Sequence, residues 1–139
     1  MTPREVFERL VHGVAGRRWD ELPALYAEDA VVTHPFAASA APLVGREALR
    51  RHFTAGAELG LEMAVHDLVV HETADPEVVV GEFAYVGRVA ATGRRFRVPN
   101  LFILRVRDGL IVESRDYADH LAVAAATGHL ASAVAGGPA

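Results

Sequence analysis

Apolar residues recur at helical spacing in the first third of the chain and switch to strict alternation beyond residue 60. Phe7, Leu10, Val11 and Val14 line one face of a first helix, which Thr2 can cap, with Pro3 at its first position and Glu5 three residues after the cap. Gly16 and the Arg17-Arg18 pair end it. Trp19–Tyr26 reads as a second, short helix with Leu22, Leu25 and Tyr26 facing inward. Pro23 falls in its first turns, where a missing N–H costs little. Asp29–Thr33 is a short apolar strand, followed by a proline-marked loop through Pro42. Gly45 then opens a third helix, Arg46–Ala57, which groups Ala48, Leu49, His52 and Phe53 on its surface and carries Glu47 in its first turn.

The alternating part divides into Leu61–Glu72, Glu77–Ala91, Arg95–Arg107 and Leu110–Tyr117, separated by turn signals at Thr73-Ala74-Asp75-Pro76, Thr92-Gly93 and Asp108-Gly109. Asp119 caps a short terminal helix that ends before Gly128. The order predicts an α+β fold in one domain over residues 1–128. Three N-terminal helices pack on a strongly curved antiparallel sheet, and the resulting cone encloses a pocket that the helices do not fill. Residues 129–139 read as a flexible Ala/Gly-rich tail.

Strand alternation sorts the side chains. On the Arg95–Arg107 strand, Phe96, Val98, Asn100, Phe102, Leu104 and Val106 share a face, and Arg105 and Arg107 point to solvent or to a partner chain. On the last strand, Val112, Ser114 and Asp116 share one face and Glu113, Arg115 and Tyr117 the other. His66 and His71, five apart on one strand, fall on opposite faces.

Composition narrows the functions. With 139 residues, 51% of them hydrophobic, the chain can bury one core. A net charge of −4 argues against a nucleic-acid partner, and the RRFR run at Arg94–Arg97 reads as a solvated strand end. There is no cysteine, which excludes disulfide and thiolate chemistry. No apolar run approaches the ~20 residues a membrane-spanning helix needs, and the charged start of the chain does not read as a signal peptide. The expectation is a soluble cytoplasmic protein with no membrane partner. No phosphate loop, nucleophile elbow, HExxH motif or metal-ligand spacing is present, so neither a cofactor nor a metal is expected.

His34 is the first candidate for chemistry, because a titratable ring between an apolar strand and a loop suits proton transfer near neutral pH. The segments LYAEDAVV at Leu25–Val32, His34-Pro35, GREAL at Gly45–Leu49 and FILRVRDGLIVESRDY at Phe102–Tyr117 resemble the nuclear transport factor 2-like superfamily. Within it they are most similar to the SnoaL-like polyketide cyclases and their ketosteroid-isomerase relatives. The ordered set covers nearly the whole chain and speaks for the fold. It speaks less for a reaction, since this fold carries isomerases, cyclases, dehydratases, epoxide hydrolases and non-catalytic members.

The resemblance puts His34 where ketosteroid isomerases keep a catalytic aspartate, directly before the proline that ends the first strand. It puts Leu10 and Phe102 at the oxyanion-donor positions, where neither can donate, so the steroid isomerisation itself is not implied. Asp116 is the match to the proposed acid/base of the SnoaL-like cyclases. In this fold the first strand lies beside the last, which implies that His34 and Asp116 meet and that the carboxylate raises the imidazole pKa.

The expected site therefore has His34 as base and Asp116 as its partner or acid, with Asn100 or Ser114 binding the substrate oxygen. Phe102, Phe53, Tyr26 and Phe36 would line the pocket, on a wall with Leu104 and Val112. The expected substrate is a hydrophobic, cyclic or polyketide-like carbonyl compound undergoing cyclisation, isomerisation or dehydration. His52 is assigned to the surface or the pocket rim, and His12, His120 and His129 to solvent. The rival readings are a non-catalytic ligand-binding module and an association domain. A homodimer through the outer sheet face is compatible with all of these.

Overall fold

The computed structural model describes residues 1–38 and 41–135, the last two by their backbone alone. The predicted first helix forms as α1, Pro3–Ala15, which Thr2 caps by accepting from the Glu5 amide at 3.2 Å, and the helix buries Val6, Phe7, Leu10 and Val11. The predicted second helix does not form as one element. It is two single 3₁₀ turns, Trp19–Glu21 and Pro23–Leu25. Pro23 cannot donate into a continuous helix and instead opens the second turn, after which Tyr26 is already extended.

Strand β1 accordingly runs from Tyr26 to Thr33, three residues earlier than its apolar pattern suggests. The two-residue strand β2, Leu43–Val44, leads into α2, Arg46–Glu58. Gly45 holds φ 89, a conformation that disfavours any side chain, and its amide donates to Ala30 O at 2.8 Å. The Arg46 guanidinium donates twice to Tyr26 O, at 2.6 and 3.1 Å. These bonds fasten the start of α2 to β1.

The meander consists of β3 (Leu61–Glu72), β4 (Val78–Val89), β5 (Arg95–Arg107) and β6 (Leu110–Ala118). All six strands form one open sheet in the order β2-β1-β6-β5-β4-β3. It is mixed rather than wholly antiparallel, because β1 runs parallel to β6. The long intervening chain permits that pairing, which a hairpin could not make.

Two bulges correct the alternation read from sequence. In β3 the register shifts between His66 and Val69, and Asp67 adopts φ 56. The extra residue restores parity, so His66 and His71 share the outer face. In β6, Arg105 pairs with Glu113 while Val106 pairs with Ile111. Val112 is the unpaired residue, and the fully buried Ile111 takes its place on the inner wall.

The core lies between the inner sheet face and the helices. Phe7 crosses onto the sheet where Gly81 leaves room, since a Cβ there would approach the Phe7 ring to 2.0 Å. Its ring meets Phe83 and Phe102 at centroid distances of 5.9 and 6.4 Å. Beyond β6, Asp119 caps α3, His120–Ala126, by accepting from Ala122 N at 2.9 Å. Asp119 N donates to Pro99 O, and Arg94 donates to Ala125 O at 2.6 Å, so α3 is tied back over β5. Within the stretch expected to be a flexible tail, Leu130–Ala135 form α4, and residues 136–139 lie outside the described residues. No described helix is long and apolar enough to cross a membrane.

Candidate active site

The parallel register of β1 on β6 pairs Val32 with Ser114 and Thr33 with Arg115. One residue further, His34 stands opposite Asp116, and His34 Nε2 lies 3.8 Å from Asp116 Oδ2. Ser114 and Asp116 are two apart on β6 and so share the inner face, where both are buried. The Ser114 hydroxyl donates to Asp116 Oδ1. Across the ladder, Phe102 pairs with Asp116 and Leu104 with Ser114, so the carboxyl group emerges into a largely hydrocarbon wall.

Burial sets the charge state of this wall. It pushes Asp116 up to about 7, against a smaller lowering by the Ser114 hydrogen bond. His34 moves the other way, down to about 4, through burial first and then through the neighbouring His52 and His120 rings. The expectation that the carboxylate would raise the imidazole is therefore not met. Tyr26 and Tyr85 are both held protonated well beyond the usual phenol range, by burial and then by the Asp116 charge.

His34 belongs to a group of rings that was not read from the sequence. His52 lies 5.4 Å and His120 5.9 Å from it, centroid to centroid. Both are shifted down by desolvation, although His52 keeps an exposed flank where solvent limits the effect. His120, expected in solvent, is half-buried, and its Nε2 is enclosed without a hydrogen-bond partner among the described residues. The available signals were faint: His52 precedes the inward Phe53 on α2, and His120 follows the Asp119 cap. Among the described residues, no group of three His, Asp or Glu side chains is arranged to hold a metal ion.

The expected pocket-lining residues divide between two places. Tyr26, Phe53, Phe102, Ser114 and Asp116 are all buried on the inner side, with the Tyr26 and Phe53 rings 6.0 Å apart. Phe36 is not with them. The turn after Pro35 carries it outward, 70% exposed, to meet Tyr117 edge-on at 5.1 Å. There it borders a groove of about 820 Å³, together with Val69, Pro99, Leu101, Tyr117 and Leu121. Asn100 and His120 also line that groove. Asn100 is buried, and its amide donates to Val98 O at 3.0 Å. The two groups expected to bind substrate oxygen thus already spend a hydrogen within the protein.

A family model for the SnoaL-like domain matches residues 7–114. The chain belongs to the SnoaL-like family. Its fold is that of the nuclear transport factor 2-like superfamily, and the relatives agree with it. The PhzA/B-like protein PA3332 of Pseudomonas aeruginosa is 30% identical over 111 residues, which cover 78% of this chain and 76% of the relative. Among solved structures, a Bacillus subtilis protein described as a "putative isomerase" superposes with a TM-score of 0.82 at 26% identity, covering 90% of this chain and 91% of that one. IdmH of Streptomyces antibioticus, described as a "putative polyketide cyclase", gives a TM-score of 0.72 at 25% identity, covering 92% of this chain and 99% of its own. Leu10 and Phe102, which the sequence resemblance sets at oxyanion-donor positions, are buried hydrocarbon.

Proposed function

We propose that this SnoaL-like protein moves a proton alpha to a carbonyl group of a hydrophobic, cyclic or polyketide-like compound, with Asp116 as the group that takes and returns it. The observation that carries the reading is Asp116 itself, a buried carboxyl with one oxygen held by Ser114 and its burial setting its pKa at about 7. A base with that pKa is ionised often enough to accept a proton near neutrality and acidic enough to give it back. The relatives described as an isomerase and a polyketide cyclase support the same class of chemistry.

Ser114 holds Oδ1 and so leaves Oδ2, the atom facing His34, as the one that meets substrate. The Asp116 carboxylate takes the proton and leaves an enolate. Return of the proton to another carbon completes an isomerisation. Attack of the enolate carbon on a second carbonyl closes a ring, with the Asp116 proton passing to the new alkoxide, and loss of a β-hydroxyl that takes the Asp116 proton to leave as water completes a dehydration. His34 is neutral throughout this pH range and acts beside Asp116, accepting a hydrogen bond from the protonated acid after a small closure from 3.8 Å.

Deuterium incorporation from D2O into bicyclic ketones such as 2-tetralone, followed by mass spectrometry, tests this reading. The protein is expected to accelerate exchange, and Asp116→Asn to lower that acceleration by ~10²-fold or more. Undiminished exchange by the Asn variant removes Asp116 from the role. Absence of any acceleration by the unaltered protein favours a ligand-binding module instead.

A further inference from the structure

We propose that His120 is the oxyanion donor of this site: its Nε2–H binds the substrate oxygen on which negative charge gathers. The proposal rests on the proton-transfer reading of Asp116 and adds a nitrogen donor to the Tyr26 and Tyr85 phenols, which burial and the Asp116 charge hold protonated. An enolate formed in an apolar wall needs a donor at its oxygen, and such donors are a large part of catalysis in sites of this kind. At the isomerase-type positions this chain has Leu10 and Phe102. The Ser114 hydroxyl hydrogen is committed to Asp116, and the Asn100 amide spends one of its two hydrogens on Val98 O.

His120 has an uncommitted atom in the right neighbourhood. Its Nε2 is enclosed by protein and has no partner among the described residues. Its ring packs edge-on against His34 at 5.9 Å, and His34 in turn stands 3.8 Å from Asp116. A buried polar atom left without a partner is uncommon in folded proteins, and a ligand is one of the few things that accounts for it. The imidazole is neutral at neutral pH, because burial lowers it. A neutral ring in the Nε2–H tautomer donates without giving up a full proton. Helix α3 holds it there through bonds at Pro99 O and Ala125 O and through Ala122, Val123, Ala124 and Ala126 packed inward. Easing α3 outward would open Nε2 to an incoming oxygen.

The test compares 2-naphthol, whose oxygen mimics the enolate, with naphthalene, which has the same rings and no oxygen. Binding of each is measured by fluorescence on the unaltered chain and on His120→Phe, His120→Gln and Asp116→Asn. His120→Phe is expected to weaken 2-naphthol about tenfold or more while leaving naphthalene unchanged, and His120→Gln, which keeps a donor, to recover most of the loss. Equal losses for both probes would make His120 a packing residue, and no loss for either would place it away from the ligand; both overturn the proposal. So would failure of the unaltered chain to bind 2-naphthol at all. Asp116→Asn is expected to keep 2-naphthol binding while losing deuterium exchange. Retained exchange in that variant would sink the Asp116 reading alone, and an indifferent His120 would sink this proposal alone.

Discussion

His34 Nε2 lies 3.8 Å from Asp116 Oδ2, yet the two groups are not oppositely charged at any pH. As pH falls, Asp116 takes its proton near 7, and His34 does not charge until about 4. Above neutrality the pair is a carboxylate beside a neutral ring, and between the two values it is an acid beside a neutral ring. This order also explains why the carboxylate fails to lift the imidazole: it is already neutral where the imidazole titrates. Burial of both partners outweighs their mutual attraction, and the result is a solitary base tuned to neutral pH.

The same shifts predict opposite contributions to stability. Asp116 rises from an ordinary 3.8 to about 7, so between those values the native state holds a proton that the unfolded chain has lost. Its contribution falls as pH climbs through that window. His34 drops from 6.5 to about 4, so there the unfolded chain holds the extra proton and stability rises with pH. The two trends offset each other between about 4 and 6.5, and His52 and His120 add to the rising one. Asp116→Asn removes only the falling limb. Its stability relative to the unaltered protein should therefore grow by roughly 4 kcal/mol from pH 4 to pH 8, as read by urea unfolding. A gap that stays constant with pH would mean that Asp116 titrates as an ordinary carboxyl.

The rate of deuterium exchange should rise with pH through an inflection near 7 and then level, following ionisation of Asp116. Ser114→Ala removes the hydrogen bond that favours the carboxylate, so its inflection should move to higher pH. An inflection near 4 in the unaltered protein would assign the base to His34 instead.

Much of the fold was legible because its signals are local. The Thr2 cap, the Asp108-Gly109 hairpin and the alternation of β5 each act within a few residues, and each appears in the structure. What escaped the sequence depends on where chains meet. The Val112 and Asp67 bulges are decided by pairing across the ladder, and no local pattern announces an extra residue. The inner position of Asp116 held because the family resemblance assigned it: the Val112 bulge lies between Asp116 and the hairpin, and an unbroken count from Asp108-Gly109 would have turned Asp116 outward. The electrostatics were misjudged for a related reason. Proximity of His34 to Asp116 followed from strand order, but burial in the assembled fold dominates both shifts, and the His52 and His120 rings that lower His34 further come from segments the sequence leaves unrelated.

The contact between Phe7 and Gly81 offers a test of the packing that supports the site. A Cβ on Gly81 would lie 2.0 to 2.5 Å from three Phe7 ring carbons, so the ring or the strand must shift in Gly81→Ala. Overpacking of this kind costs about 1–3 kcal/mol. Phe7→Leu alone should also destabilise, since it empties space beside Phe83 and Phe102. In the double variant, however, the shorter leucine makes room for the alanine methyl. Its loss should fall short of the sum of the single losses by about 1 kcal/mol or more in a urea-denaturation cycle. Phe7 touches Phe102, which pairs directly with Asp116, so the singly substituted Gly81→Ala should also slow exchange, and Phe7→Leu in the same chain should restore part of it. Strictly additive losses would show that the sheet, not the Phe7 ring, absorbs the added methyl.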